Sequence, residues 1–213
     1  MTCRRRQPSQ QTGRGAYPLV RSGRCDTEAV GIDWTGQLAE QLDLHWRRQL
    51  RPRCEGLTDR EYFWEPVAGC WNIRPRGQGR AAIAAGGGDF VIDFAYPEPS
   101  PAPVTTIAWR LAHLIVGVFG TRVADHFGGP PLDPMMFGYA GTAAQALQQL
   151  DDVYAAWAAG VRSLGEADLA RACGPAENFY AEHPMAALVL HVNREAIHHG
   201  AEIALLRDLY AHR

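Results

Sequence analysis

The sequence predicts an all-α protein: a four-helix bundle with an irregular insertion, holding a β-hairpin, between the first two helices. Three observations carry this. Four separate stretches repeat apolar side chains at three- and four-residue spacing, the period of a helix face packed on a core. Capping residues and short Gly/Pro-rich loops divide those stretches, as between neighbouring helices of a bundle. The strand signal is confined to one segment, residues 66–103, where Gly and Pro are frequent.

Residues 1–30 are rich in Arg, Gly, Gln and Ser and have few apolar anchors, so a disordered tail is expected there and the folded domain over 31–213. The first helix is expected from about Asp33 to Glu55, with Leu38, Leu42, His45, Trp46 and Leu50 on one face. Pro52 bends or ends it. Thr58, with Glu61 three residues on, marks a short helical start. In the insertion, Asp89-Phe-Val-Ile-Asp-Phe94 reads as a strand, with a hairpin near Gly86-Gly87-Gly88. The second helix runs from the Thr105-Thr106 cap to about His126, with Ile107, Leu111, Leu114, Val118 and Phe119 inward. The third runs from near Thr142 to about Leu164, with Ala146, Leu150, Val153, Tyr154 and Trp157 inward, and the fourth from after Pro184 to about Tyr210.

Composition narrows the function. All 21 basic residues other than His are Arg, and the formal net charge is −2. No basic stripe marks a nucleic-acid partner. Five cysteines, with no CxxC pair, argue against a disulfide framework or a Cys-based zinc site, so reduced thiols and a cytoplasmic location are expected. The best apolar run, Leu111 to Gly120, falls short of the roughly 20 residues that span a bilayer, so no membrane partner is expected.

The polar residues of the fourth helix suggest a metal site. His191, Glu195 and His199 recur every four residues and share a face. A carboxylate and an imidazole one turn apart can hold one ion, and bundles complete such sites from a facing helix. The second helix offers His113, a polar residue inside an apolar stripe. Two His and one Glu leave a fourth position for water or substrate, as in catalytic zinc sites. The competing reading is a solvated face with i,i+4 pairs and a His113 bonded to backbone.

The pieces Gly56-Leu-Thr-Asp59, Trp64-Glu-Pro66, Trp71-Asn-Ile-Arg74, Trp109-Arg-Leu-Ala-His113-Leu and Glu195-Ala-Ile-His-His199-Gly-Ala-Glu-Ile203 together resemble the DinB-like superfamily. That superfamily includes bacillithiol transferases and a mycothiol-dependent maleylpyruvate isomerase. The resemblance covers roughly Asp33 to Arg213 and implies His113, Glu195 and His199 as the ligands of one divalent metal. Glu195 stands where His is commoner, as in the His/Glu/His set of the isomerase. Zinc is the expected ion, with nickel and manganese compatible. The insertion at 66–103 is longer than the family's usual link, and the isomerase's extra C-terminal domain is missing from this sequence.

The resemblance implies a metal-dependent S-transferase or isomerase that uses a low-molecular-weight thiol of the mycothiol type on a small electrophile. A non-catalytic, metal-binding or stress-associated helical protein is the alternative, and a homodimer is left open. His191 is a fourth ligand, an outer partner or a plain helix residue, and His198 is expected on another side. His45 lines a pocket or is a satisfied boundary residue. Arg194 and Arg207 meet an anionic substrate or lie on the surface, whereas Trp109 and Trp157 are expected in the core.

Overall fold

The computed structural model describes residues 31–213, so the tail expected over residues 1–30 lies outside the described residues. The chain there is mostly helical with one small sheet. Helix α1 (residues 34–53) joins Trp34–His45, a π-helical stretch Trp46–Leu50 and a closing turn Arg51–Arg53. The Asp33 carboxylate caps it, accepting the Gly36 N–H at 2.8 Å. Thr58 caps the short α2 (Asp59–Tyr62) by accepting from the Glu61 N–H.

Helix α3 (residues 107–126) starts at Thr106, whose hydroxyl accepts from the Trp109 N–H, and turns π-helical over His113–Gly120. Helix α4 (Ala143–Arg162) begins at a Thr142 cap of the same kind. After the short α5 (Glu166–Ala170) and a 3-10 segment (Pro175–Tyr180), α6 (Met185–Ala211) closes the fold. Helices α1 and α3 each pack against both α4 and α6. Their shared core includes Leu111, Leu114, Phe119, Leu150, Trp157, Leu188, Val192 and Ile203, all buried. The apolar faces expected from sequence therefore point inward, Val153 being half-buried.

The strands are β1 (Ile73–Pro75), β2 (Ile83–Ala85) and β3 (Phe90–Phe94), antiparallel in the order β1-β3-β2. The expected hairpin is the β2–β3 pair. Gly86 turns it at φ +147°, where a Cβ would stand 2.7 Å from the Phe90 carbonyl oxygen. The all-α expectation is corrected by β1, which turns the hairpin into a sheet. Three residues ending in Pro gave no period-two signal, and pairing with Ile92, Val91 and Phe90 supplies the stability instead.

Asp93 ties this sheet to the helices. Fully buried, it accepts from Arg74 Nε at 2.6 Å, from Arg80 N at 2.7 Å and from Asn72 N at 3.2 Å. The Asn72 side chain in turn accepts from Thr106 Oγ1 at 2.8 Å, next to the start of α3. The Trp71-Asn-Ile-Arg74 sequence thus docks the sheet on α3.

By length and composition α3 is long enough to cross a membrane, unlike the ten-residue run that stood out in the sequence. Within the protein 61% of its most apolar window is buried, which a core helix explains.

Candidate metal centre

His113 lies at the junction where α3 becomes π-helical. The widened turn is a feature often found at functional sites. It leaves Gly117 beside the imidazole, where an added Cβ would meet His113 Nδ1 at 3.0 Å. Trp109 stacks on the ring at 5.3 Å between centroids and 13° between planes. The Trp109 indole is fixed in turn by its N–H, which donates to the Asp93 carbonyl oxygen at 2.8 Å. The sheet thus orients the tryptophan, and the tryptophan orients the histidine.

Helix α6 presents Glu195 and His199 to that ring. His113 and His199 meet edge to face at 4.8 Å between centroids. His199 Nε2 lies 3.5 Å from a Glu195 carboxylate oxygen. One ligand-type atom from each of His113, Glu195 and His199 falls within 4.8 Å of the other two. His199 is buried and the other two are half-buried.

Electrostatics favour a donor role for His113. Burial, then the neighbouring His199, Arg110 and Arg122, push its pKa down to about 3. Its imidazole is therefore neutral at physiological pH, the form with a lone pair to give to a cation. Donors around one tetrahedral ion at 2.0–2.2 Å stand about 3.5 Å apart, so modest side-chain rotations close the observed spacing. Two imidazoles and a carboxylate fit a borderline divalent ion.

Residues around this trio went unnoticed in the sequence. Glu202 accepts a hydrogen bond from His199 Nδ1 at 2.7 Å and pairs with Arg110 Nε at 3.0 Å. A carboxylate on the far nitrogen fixes the tautomer and turns Nε2 toward Glu195, the outer arrangement usual for metal-bound His. Its position three residues after His199 was the available signal.

The other candidates fall as follows. His191 is half-buried, stacks on Tyr180 and lies 3.6 Å from Glu195. His198 is exposed and 3.4 Å from Glu202. His45 lines a groove between α1 and α6, but its buried Nε2 has no hydrogen-bond partner, so it is not a satisfied boundary residue. Arg194 is exposed, whereas Arg207 is held by Glu61 at 2.7 Å and by the carbonyls of Arg53 and Glu55, which rules out a free anion-binding role. Trp157 is core, but Trp109 is only partly buried and lines a cleft. Cys54, Cys70 and Cys173 are free thiols; Cys3 and Cys25 lie outside the described residues.

Two cavities meet at His113 and Gly117. An apolar cleft of 470 Å³ runs between the sheet and α3, and a polar recess of 140 Å³ is lined by Arg122, His191 and Glu195.

Comparison with known proteins gives a family. A model described as the DinB superfamily matches residues 41–203. The chain belongs to the DinB superfamily. That match spans the whole of α3, the sheet and all three residues of the trio. No curated protein and no solved structure gives a significant match.

Proposed function

We propose that this DinB-superfamily chain is a metal-dependent thiol S-transferase or isomerase whose ion is held by His113, Glu195 and His199. The observation that carries the reading is the convergence of the three donor atoms within 4.8 Å at the meeting point of two cavities. On this reading α1, α3, α4 and α6 form a four-helix bundle, residues 66–103 are its insertion, and the protein works in the cytoplasm.

Zinc is the ion of choice; when bound, it supplies the positive charge that keeps a thiol as thiolate, the nucleophilic form. The chain's own residues do the rest. Glu202 holds His199 in one tautomer, and the Trp109 stack keeps His113 in place. The recess by Arg122 and His191 accommodates the sulfur-bearing end of a mycothiol-type cosubstrate, while the electrophile enters from the cleft. In conjugation the sulfur lone pair forms the C–S bond and the leaving group departs with its bonding pair. In isomerisation the sulfur lone pair adds instead to one carbon of an activated C=C, whose π pair moves onto the conjugated carbonyl. After rotation about the resulting single bond that pair returns, the C–S bond breaks and the thiolate is restored. Both keep the reaction away from bulk water, in the apolar cleft.

The test is a panel of low-molecular-weight thiols against small electrophiles, with zinc-loaded and chelator-treated protein. Metal-dependent loss of free thiol supports the reading. Tight zinc binding without turnover for any pair favours the non-catalytic alternative.

A further inference from the structure

Resting on that reading, we infer that the cleft between the sheet and α3 selects a flat, uncharged, apolar electrophile of about two fused rings, and rejects carboxylates. Its volume of 470 Å³ lies within the range of small-molecule sites. Its walls are aromatic and aliphatic. Trp71 and Trp109 stand 5.9 Å apart at a tilt, and Phe94 lies 6.1 Å from Trp71. These rings form a preset aromatic wall, since Trp109 is bonded to the sheet backbone.

At the mouth, Phe94, Tyr96 and Met135 are exposed apolar side chains, 40%, 85% and 53% accessible. Three large apolar groups around one opening mark a binding surface rather than scattered exposure. Charge is distributed with the same bias. Among the described residues lining the cleft, Glu98 is the one acid and no Arg is present. An anionic substrate would meet Glu98 and find no Arg side chain in the cleft lining to pair with. It would also lose hydration in an apolar channel, which is costly for a carboxylate. Two Arg side chains stand near the site but outside the cleft lining: Arg110, 5.4 Å from the Trp109 ring centroid, is paired with Glu202 at 3.0 Å, and Arg122 lines the recess that shares His113 with the cleft. The two cavities therefore divide the work: polar groups for the thiol on one side, apolar ones for the electrophile on the other. The sheet supplies one wall, so the insertion sets specificity.

The test is calorimetric binding of 2-naphthamide, 2-naphthoate and decanamide to the full chain freed of metal by chelation. Metal-free protein keeps the outcome separate from the fate of the metal reading. The first two probes share size and shape but differ in charge; the third shares the amide head on a flexible chain. Naphthamide is expected to bind, naphthoate at least tenfold more weakly, and decanamide more weakly than naphthamide. Glu98→Gln is expected to recover at least threefold of the naphthoate affinity. Ala95→Trp and Met135→Trp, both at the rim, are expected to lower naphthamide affinity at least tenfold while the melting temperature holds. The inference is overturned if naphthoate binds as tightly as the amide, if decanamide binds best, or if Glu98→Gln changes nothing. It is equally overturned if either folded Trp variant binds naphthamide like the parent.

Discussion

Replacing Glu202 with Ala removes the carboxylate that holds His199 Nδ1 at 2.7 Å and Arg110 Nε at 3.0 Å. The imidazole then loses both its fixed tautomer and the partner that raises its basicity. Outer partners of metal-bound His are worth about 10–100-fold in metal affinity. That range corresponds to about 1.4–2.7 kcal/mol of binding free energy. Folding should be affected less. The Glu202 side chain is 31% accessible and that of Arg110 21%, so solvent screening holds their pair to about 1 kcal/mol or below. For a chain of this size that is a melting shift of about 2–4 °C. The assay is competitive zinc titration against a chromophoric chelator, beside thermal unfolding of the metal-free protein. His212→Ala serves as control, since that side chain is exposed and belongs to neither group of residues that could hold an ion. Zinc affinity within threefold of the parent for Glu202→Ala would refute the reasoning, as would an equal loss in the control.

Three further outcomes follow from the packing and charge. Gly160→Val should lower stability by about 1–3 kcal/mol in denaturant unfolding, because a Cβ there would stand 2.3 Å from Phe127 Cγ. Leu150→Ala, at a fully buried position on α4, should cost about 2–5 kcal/mol in the same assay. Asp43 should contribute to acid sensitivity: burial opposes its charge, but the Tyr154 hydroxyl and Arg162 outweigh that and hold its pKa below the usual 3.8. A carboxyl lowered on folding stabilises above its unfolded pKa and loses that contribution as pH falls through the folded value. Asp43→Asn should therefore be less stable than the parent at pH 7, with the gap closing below about pH 4; a gap that widens in acid would contradict this.

The helix ends were legible because local chemistry sets them. Thr58, Thr106 and Thr142 each cap the helix that the sequence places after them, and those bonds reach only three residues. The inward faces were legible from period alone. What escaped depends on partners distant in sequence. Strand β1 exists because β3 pairs with it nearly twenty residues away, and Ile73-Arg-Pro75 carries no alternation of its own. Arg207 looked free but finds Glu61 across 146 positions. The 3-10 segment Pro175–Tyr180, with Asn178 at φ +45°, follows no period and so carries no helix signal in the sequence. At the site, the His113, Glu195 and His199 positions follow from helix geometry and the family pattern. Glu202 was overlooked although it lies on the same face, three residues past His199. Trp109 reads as core because aromatic residues in an apolar stripe usually are; only the sheet, formed by residues 73–94, shows that it walls a cleft.

The central claim is that one divalent ion is held by His113, Glu195 and His199. Elemental analysis of protein incubated with zinc and then desalted tests it most directly, run in parallel on the parent, Glu195→Ala and His199→Ala with circular dichroism on each. The account predicts one zinc per parent chain and little in either variant, with helical signal retained in all three. A parent that leaves the column free of metal, or variants that are folded and still carry a full equivalent, would contradict it.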